Sequence, residues 1–206
     1  MENKISIILL RHGRSRADDE GVHEGRYDSP LTEVGKAQAH KRAEDFLQHN
    51  YQFDAILASP LQRAYETAQI ISSALGVAVE TDPDWMESDN GPLAGLPFDV
   101  AEQRYPRPAF RTPYTPMAGS GESQWDTYLR SARAVQNLVQ RGPGSYLVVA
   151  HGGILNSALK TMMGSAPNVN QQGFTTAFGD TGYVRLLYFP DQYQWLLLEF
   201  NPGYEQ

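Results

Sequence analysis

The chain has 206 residues, 41% of them hydrophobic, no cysteine, and a formal net charge of −7. This length buries one core well and two only marginally, and the lack of cysteine excludes disulfides and thiolate chemistry. The acidic balance argues against a nucleic-acid partner, which needs a broad basic face, and no apolar run is long enough to cross a bilayer. With no leader-like start, the chain is expected in the cytoplasm, away from membrane.

Residues 4–10 are almost continuously apolar, the pattern of a central strand buried on both faces. The run ends in Arg11-His12-Gly13-Arg14-Ser15. Arg11, Arg14 and Arg16 concentrate positive charge there, as a small anionic ligand requires. Residues 11–30 carry Gly13, Gly21, Gly25, Asp28 and Pro30 and read as a long functional loop. Thr32, followed by Glu33, marks the start of a helix that runs to about His49. Residues 53–58 read as a second buried strand. Ser59 is then expected as the N-cap, and Pro60 in the first turn, of a helix ended by Gly76. Residues 77–80 suit a short third strand.

Residues 81–121 break the pattern, with six of the 13 prolines between Pro92 and Pro116. Long helices cannot cross such a stretch. It reads as a cap at about 88–121, with one short helix near 97–104, set into a single domain over residues 1–206. Phe98, Tyr105, Phe110 and Tyr114 alternate there with Arg104, Arg107 and Arg111, which either recruit a second negative charge or are simply solvated. Beyond it, Trp125, Tyr128, Leu129, Ala132, Val135 and Val139 mark the apolar, core-facing stripe of another helix. Residues 146–150 form a further buried strand that ends in His151-Gly152-Gly153. Ile154, Leu155, Ala158, Leu159 and Met162 give one more helical stripe, and residues 182–189 and 194–200 read as a hairpin turning at Pro190-Asp191.

Strands alternating with helices predict an α/β fold, a three-layer α/β/α sandwich around a mostly parallel sheet. In such sheets ligands sit beyond the carboxyl ends of the strands. Three strand ends carry polar groups: Arg11-His12-Gly13, Ser59-Pro60 with Arg63 nearby, and His151-Gly152-Gly153. All three face the same side, and together they suit phosphate. Guanidinium groups give bidentate donors, an imidazole gives a nucleophile or a donor, and the helix start after Gly152 gives N–H groups. The residues alone leave open which histidine attacks. Zinc ligation by the two histidines is disfavoured by the absence of cysteine and of a His-x-x-x-His pair, so no metal and no cofactor is expected.

Five segments carry a resemblance: residues 10–15 (Leu-Arg-His-Gly-Arg-Ser), 25–35 around Asp28 and Pro30, 59–68 (Ser-Pro-Leu-Gln-Arg-Ala-Tyr-Glu-Thr-Ala), Glu87 with Gly91 and Gly95, and 150–153 (Ala-His-Gly-Gly). With Gly121-Glu-Ser123 and residues 179–183, they resemble the histidine phosphatase superfamily, of phosphoglycerate-mutase-like fold, in order along nearly the whole chain. The resemblance implies that His12 is the nucleophile and forms a phosphohistidine. It implies that Arg11 and Arg63 clamp phosphate oxygens, that His151 is the second imidazole, and that Glu87 is the proton donor. Asp82, Asp84 and Asp89 are nearby alternatives to Glu87. Gly152, Arg14, Ser15 and Asp18 follow as phosphate contacts. Arg14 and Asp18 depart from the pattern, since many relatives have a glutamate or glutamine and an asparagine there. An anionic Asp18 would repel phosphate unless turned away or paired with Arg14 or Arg16. His23, His40 and His49 are assigned no chemistry.

The implied activity is hydrolysis of small phosphorylated metabolites, without metal. The compact stretch between Glu87 and His151, the short tail and the His-Gly-Gly sequence favour a phosphatase over a cofactor-dependent phosphoglycerate mutase. A non-catalytic phosphate-binding protein is the alternative of another class. The expected partner is the small substrate alone, with monomer and homodimer both open.

Overall fold

The computed structural model describes residues 3–204. In chain order they form β1 (Ile5–Arg11), α1 (Arg16–Glu20), α2 (Glu33–Gln48), β2 (Ala55–Ala58), α3 (Gln62–Leu75) and β3 (Val79–Thr81). Then come α4 (Phe98–Arg104), α5 (Gln124–Gln140), β4 (Gly144–Ala150), α6 (Gly152–Met162), β5 (Tyr183–Phe189) and β6 (Gln194–Asn201). The strands make one sheet in the order β3-β2-β4-β1-β5-β6. β1, β2, β3 and β4 are parallel, and the β5–β6 hairpin adds two antiparallel strands beside β1.

Alternation along β1 explains the three layers. Ile5, Ile7 and Leu9 face one side, where they join residues of α5 and α6 such as Leu138, Leu155 and Leu159. Ile8 and Leu10 face the other, against Phe46 of α2 and Ala68 and Ile71 of α3. A strand covered on both faces must be apolar at every position, which is why residues 5–10 show no polar alternation apart from Ser6. The chain passes from β1 to β2 across the place that β4 later fills, so the strand order leaves a crevice at the carboxyl ends of β1, β4 and β2. His12, His151 and Ser59 follow those strands directly, and their backbones stay in register: His12 N–H donates to Ala150 O at 3.0 Å and Ser59 N–H to Val149 O at 3.0 Å.

Two expectations need correction. Ser59 is not an N-cap. The N-cap of α3 is Leu61, with no side-chain cap, and Pro60 lies before the helix. The Ser59 hydroxyl instead accepts from Leu61 N–H at 3.3 Å and pairs with His151. The buried face of α5 matches the expected stripe only in part: Val135 is buried and Val139 packs on the core, but Leu129 is 53% exposed, while Thr127, Arg130, Ser131, Ala134 and Leu138 are buried. The first turns of α5 pack on the segment around Glu87, so they bury polar side chains that bond it: Thr127 Oγ1 donates to Ser88 Oγ and Arg130 to the Met86 carbonyl. Trp125 stacks on Tyr128 and meets Tyr114 of the cap region, with ring centroids 5.7 and 5.3 Å apart. β2 and β3 are shorter than expected, and the short cap helix falls at α4 as anticipated.

Candidate active site

β1 delivers His12 into a nearly closed pocket, where the ring is 1% exposed. Its Nδ1 lies 2.7 Å from Gly13 O and its Nε2 3.2 Å from Arg63 Nε. A carbonyl only accepts and a guanidinium only donates, so Nδ1 carries the proton and Nε2 presents a lone pair. Burial holds the ring well below the usual imidazole range, and Arg11 and Arg63 lower it further, against the Gly13 carbonyl and Asp18. His12 is therefore neutral at neutral pH, with the ring's lone pair on Nε2. Gly13 permits this placement, because a Cβ there would stand 2.6 Å from Gly35 O near the start of α2.

Arg63, in the first turn of α3, is fully buried. Its Nη1 donates to Tyr27 O and its Nη2 to Gly25 O, both at 2.9 Å. These bonds fix the guanidinium plane and fold the 25–27 loop over the pocket. Arg11 Nη1 donates to Phe178 O at 3.0 Å and stands 3.5 Å from the buried Asp180 carboxylate. His151 meets His12 edge to face with centroids 5.1 Å apart, and its Nε2 is 2.8 Å from Ser59 Oγ. Burial first, then Arg63 and His12, hold His151 well below the ordinary range, so it too is neutral. Ser59 Oγ accepts from Leu61 N–H and, with its hydroxyl proton and second lone pair, can either donate to or accept from His151 Nε2. His151 Nδ1 is buried without a hydrogen-bond partner among the described residues, and in the tautomer that accepts from Ser59 at Nε2 it is an N–H available to an anion.

Glu87 is held at the start of α6. Its Oε2 accepts from Gly153 N–H at 2.9 Å, and its Oε1 from Ile154 N–H at 3.0 Å and Ser88 N–H at 2.7 Å. The neighbouring backbone is clamped by Arg130, whose Nη1 donates to Asp84 O at 2.9 Å and Met86 O at 2.6 Å. Arg130 also forks onto Glu122, Nε to Oε1 at 2.9 Å and Nη2 to Oε2 at 2.7 Å. The nearby alternatives to Glu87 are engaged elsewhere: Asp84 pairs with Arg133, Asp82 caps the turn at Asp84 N–H, and Asp89 turns back on Gly91 N–H. A Cβ at position 153 would fall 2.5 Å from Glu87 Oε1. Gly153→Ala is expected to displace this carboxylate without unfolding the protein. Turnover should fall roughly 100-fold, the low end for loss of a positioned acid or base, while the thermal midpoint moves little.

The remaining sequence-derived contacts are placed differently. Gly152 opens α6, and a Cβ there would meet nothing within 4 Å, so this side of the pocket is open. Arg14 is not brought to His12 Nε2, because its Nε donates to Asp19 at 2.7 Å on the exposed side of α1. Ser15 is spent as the N-cap of α1, accepting from Asp18 N–H and donating to Glu24 Oε1 at 2.5 Å. Asp18 pairs with neither Arg14 nor Arg16. Its Oδ2 accepts from Ser15 N–H at 2.7 Å, closing a capping box, and its Oδ1 is 3.9 Å from Arg11 Nη2. Sequence reasoning missed Glu24 altogether. Its Oε2 lies 3.8 Å from His12 Nε2, and its Oε1 3.3 Å from Arg63 Nε.

Glu87 and Gly153 also form part of the wall of a cavity of about 620 Å³ beneath the cap, with Leu93, Tyr105, Arg107 and Arg111 among the lining residues. His23, assigned no role from sequence, lines it too, edge-on to Phe98 with centroids 4.8 Å apart. Burial and Arg107 lower its pKa.

Comparison with known proteins places these observations. The profile of the histidine phosphatase superfamily (branch 1) matches residues 7–201. Phosphoglycerate mutase-like protein 4 of Arabidopsis thaliana is 33% identical over 171 residues, covering 80% of this chain and 74% of its own. The Yersinia pestis protein named "Probable phosphoglycerate mutase GpmB" is 31% identical over 164 residues, covering 78% and 75%. Among solved structures, a mycobacterial glucosyl-3-phosphoglycerate phosphatase complexed with VO3 is 27% identical, with a TM-score of 0.80 over 96% of this chain and 99% of its own.

Proposed function

The chain belongs to the histidine phosphatase superfamily, and we propose that it is a metal-independent phosphomonoester hydrolase working through a phosphohistidine on His12. The observation that carries this reading is the His12 ring. It is neutral, its Nδ1–H is anchored on Gly13 O, and its Nε2 lone pair, which accepts from Arg63 Nε in the absence of substrate, lies beside Arg63 and His151 and is released when that N–H turns to a phosphoryl oxygen. Nε2 attacks phosphorus as the P–O bond to the alcohol breaks, with Arg11, Arg63 and His151 Nδ1–H holding the non-bridging oxygens. Glu87 passes a proton to the leaving oxygen and then takes one from the water that cleaves the N–P bond, releasing inorganic phosphate and restoring His12.

The leaving group sits in the cap cavity. Its volume, about 620 Å³, lies in the range of pockets that enclose drug-sized ligands, far more than a three-carbon acid fills. Apolar walls with Arg107 and Arg111 suit a bulky alcohol that carries an anionic group. The name of the mycobacterial relative, a glucosyl-3-phosphoglycerate phosphatase, fits such a substrate. The mutase names of other relatives supply the second reading. Purified protein in excess chelator should release phosphate from p-nitrophenyl phosphate, and from large anionic phosphomonoesters faster than from 3-phosphoglycerate. A coupled assay with 2,3-bisphosphoglycerate should find no mutase turnover. A requirement for divalent metal, or mutase turnover exceeding hydrolysis, would overturn the proposal.

A further inference from the structure

We propose that Glu24 sets the charge state of the phosphoryl group that the site accepts, admitting one that carries a proton and turning away the full dianion. The inference rests on the reading of the His12 pocket as a phosphoryl site. Glu24 lies in the loop between α1 and α2, immediately before Gly25. Its Oε2 is 3.8 Å from His12 Nε2, the atom that meets phosphorus. Its Oε1 is 3.3 Å from Arg63 Nε and accepts a 2.5 Å hydrogen bond from Ser15 Oγ. The carboxylate thus stands where a non-bridging phosphoryl oxygen has to be held, between the attacking nitrogen and its clamp. The other Arg63 nitrogens are bonded to Gly25 O and Tyr27 O, so Glu24 sets a negative charge against the one edge of that guanidinium that faces the nucleophile.

The charged and titratable groups around this point are His12 and Arg11 at the end of β1, Asp18 on α1, Arg63 on α3 and His151 at the start of α6. Two of them are carboxylates, Glu24 and Asp18, and a phosphoryl dianion would bring two further charges beside them, against the buried rings of His12 and His151. A monoanion changes the balance. Its proton lies between a phosphoryl oxygen and a Glu24 oxygen, and repulsion becomes a charge-assisted O–H···O bond. That proton enters with the substrate, stays on the shared oxygens while the P–O bond breaks, and leaves with inorganic phosphate, so no further reactant is needed. Phosphomonoesters lose their second proton near about pH 6, which places the discrimination in the physiological range.

Calorimetric titration with inorganic phosphate tests this without turnover, at about pH 5.5 and about pH 8, on either side of its passage from monoanion to dianion. The wild-type protein is expected to bind roughly tenfold or more weakly at the higher pH, a single tenfold being about the smallest effect of one unscreened like charge at this distance. Glu24→Gln keeps the shape and an acceptor for Ser15 Oγ, and should bind roughly tenfold or more tightly than wild type at the higher pH. Glu24→Ala should do the same if the glutamine variant folds poorly. Equal binding by wild type and both variants at the higher pH, or weaker binding by the variants, would overturn the role of Glu24 and leave the phosphoryl site standing. No phosphate binding by any of the three proteins would remove the site itself and this inference with it.

Discussion

Alanine at His12 is expected to lower turnover on every phosphomonoester by at least about 10⁴-fold, because the covalent route is lost outright rather than slowed. The substitution removes Nε2, the atom framed by Arg63 and the neighbouring His151 ring, and leaves the arginines in place. Phosphate should therefore still bind, now without the imidazole, while steady-state hydrolysis falls to background. A binding titration beside the rate measurement separates loss of the nucleophile from collapse of the pocket. The neutrality of His12 also sets the sign of a pH effect. Its folded pKa lies well below the unfolded value because of burial, Arg11 and Arg63, so the native state resists protonation. That contributes stability above the unfolded imidazole range, and it is lost as pH falls through the folded value. His151 acts in the same direction. His12→Ala should consequently be less sensitive to acid than wild type in a denaturation series.

Arg130→Ala is expected to destabilise the fold by about 3–5 kcal/mol, the usual result of removing one partner from a buried ion pair. For a chain of this size that corresponds to a thermal midpoint lower by roughly 10 °C. Arg130 is 9% exposed and forks onto both oxygens of Glu122. It also donates to the partly buried carbonyls of Asp84 and Met86, which the substitution leaves without these bonds. The same bonds hold the backbone that carries Glu87, so turnover should fall together with stability. Arg130→Lys, which cannot fork, should recover little of either. Glu122 supplies an internal check. Burial raises its pKa, and the bonds from Arg130 and the Asp89 amide more than offset that, leaving it below the ordinary value. Its contribution is present above the unfolded carboxyl range and lost as pH falls through the folded value, and the alanine variant should lose the part of that dependence that Arg130 supplies, while the Asp89 amide and Arg26 keep theirs.

The layered fold was legible because a sheet covered on both faces writes unbroken apolar runs, and polar residues at their ends stand out. Arg11, His12, Ser59 and His151 were found that way, and the structure brings His12, Arg63 and His151 together. What could not be read were the short helix α1 inside the expected loop of residues 11–30 and the partnerships between charged side chains on and around it. Residues 11–30 show no periodicity, so nothing in them says that Arg14 meets Asp19, that Asp18 faces Arg11, or that Glu24 reaches His12. Ser59 looked like a helix cap because serine before proline usually is one, yet its hydroxyl serves His151. Arg130 was passed over for a related reason. A helix turn that packs on backbone carbonyls buries polar side chains, and a search for an apolar stripe passes over them.

The central claim is a covalent bond from phosphorus to His12 Nε2, and the most direct measurement traps it. A single-turnover reaction quenched in alkali, where phosphohistidine survives, followed by peptide mass spectrometry, should find phosphate on the peptide containing His12 and on no peptide of the His12→Ala protein. Phosphate on a different residue, or continued hydrolysis by His12→Ala at the wild-type rate, would contradict the mechanism.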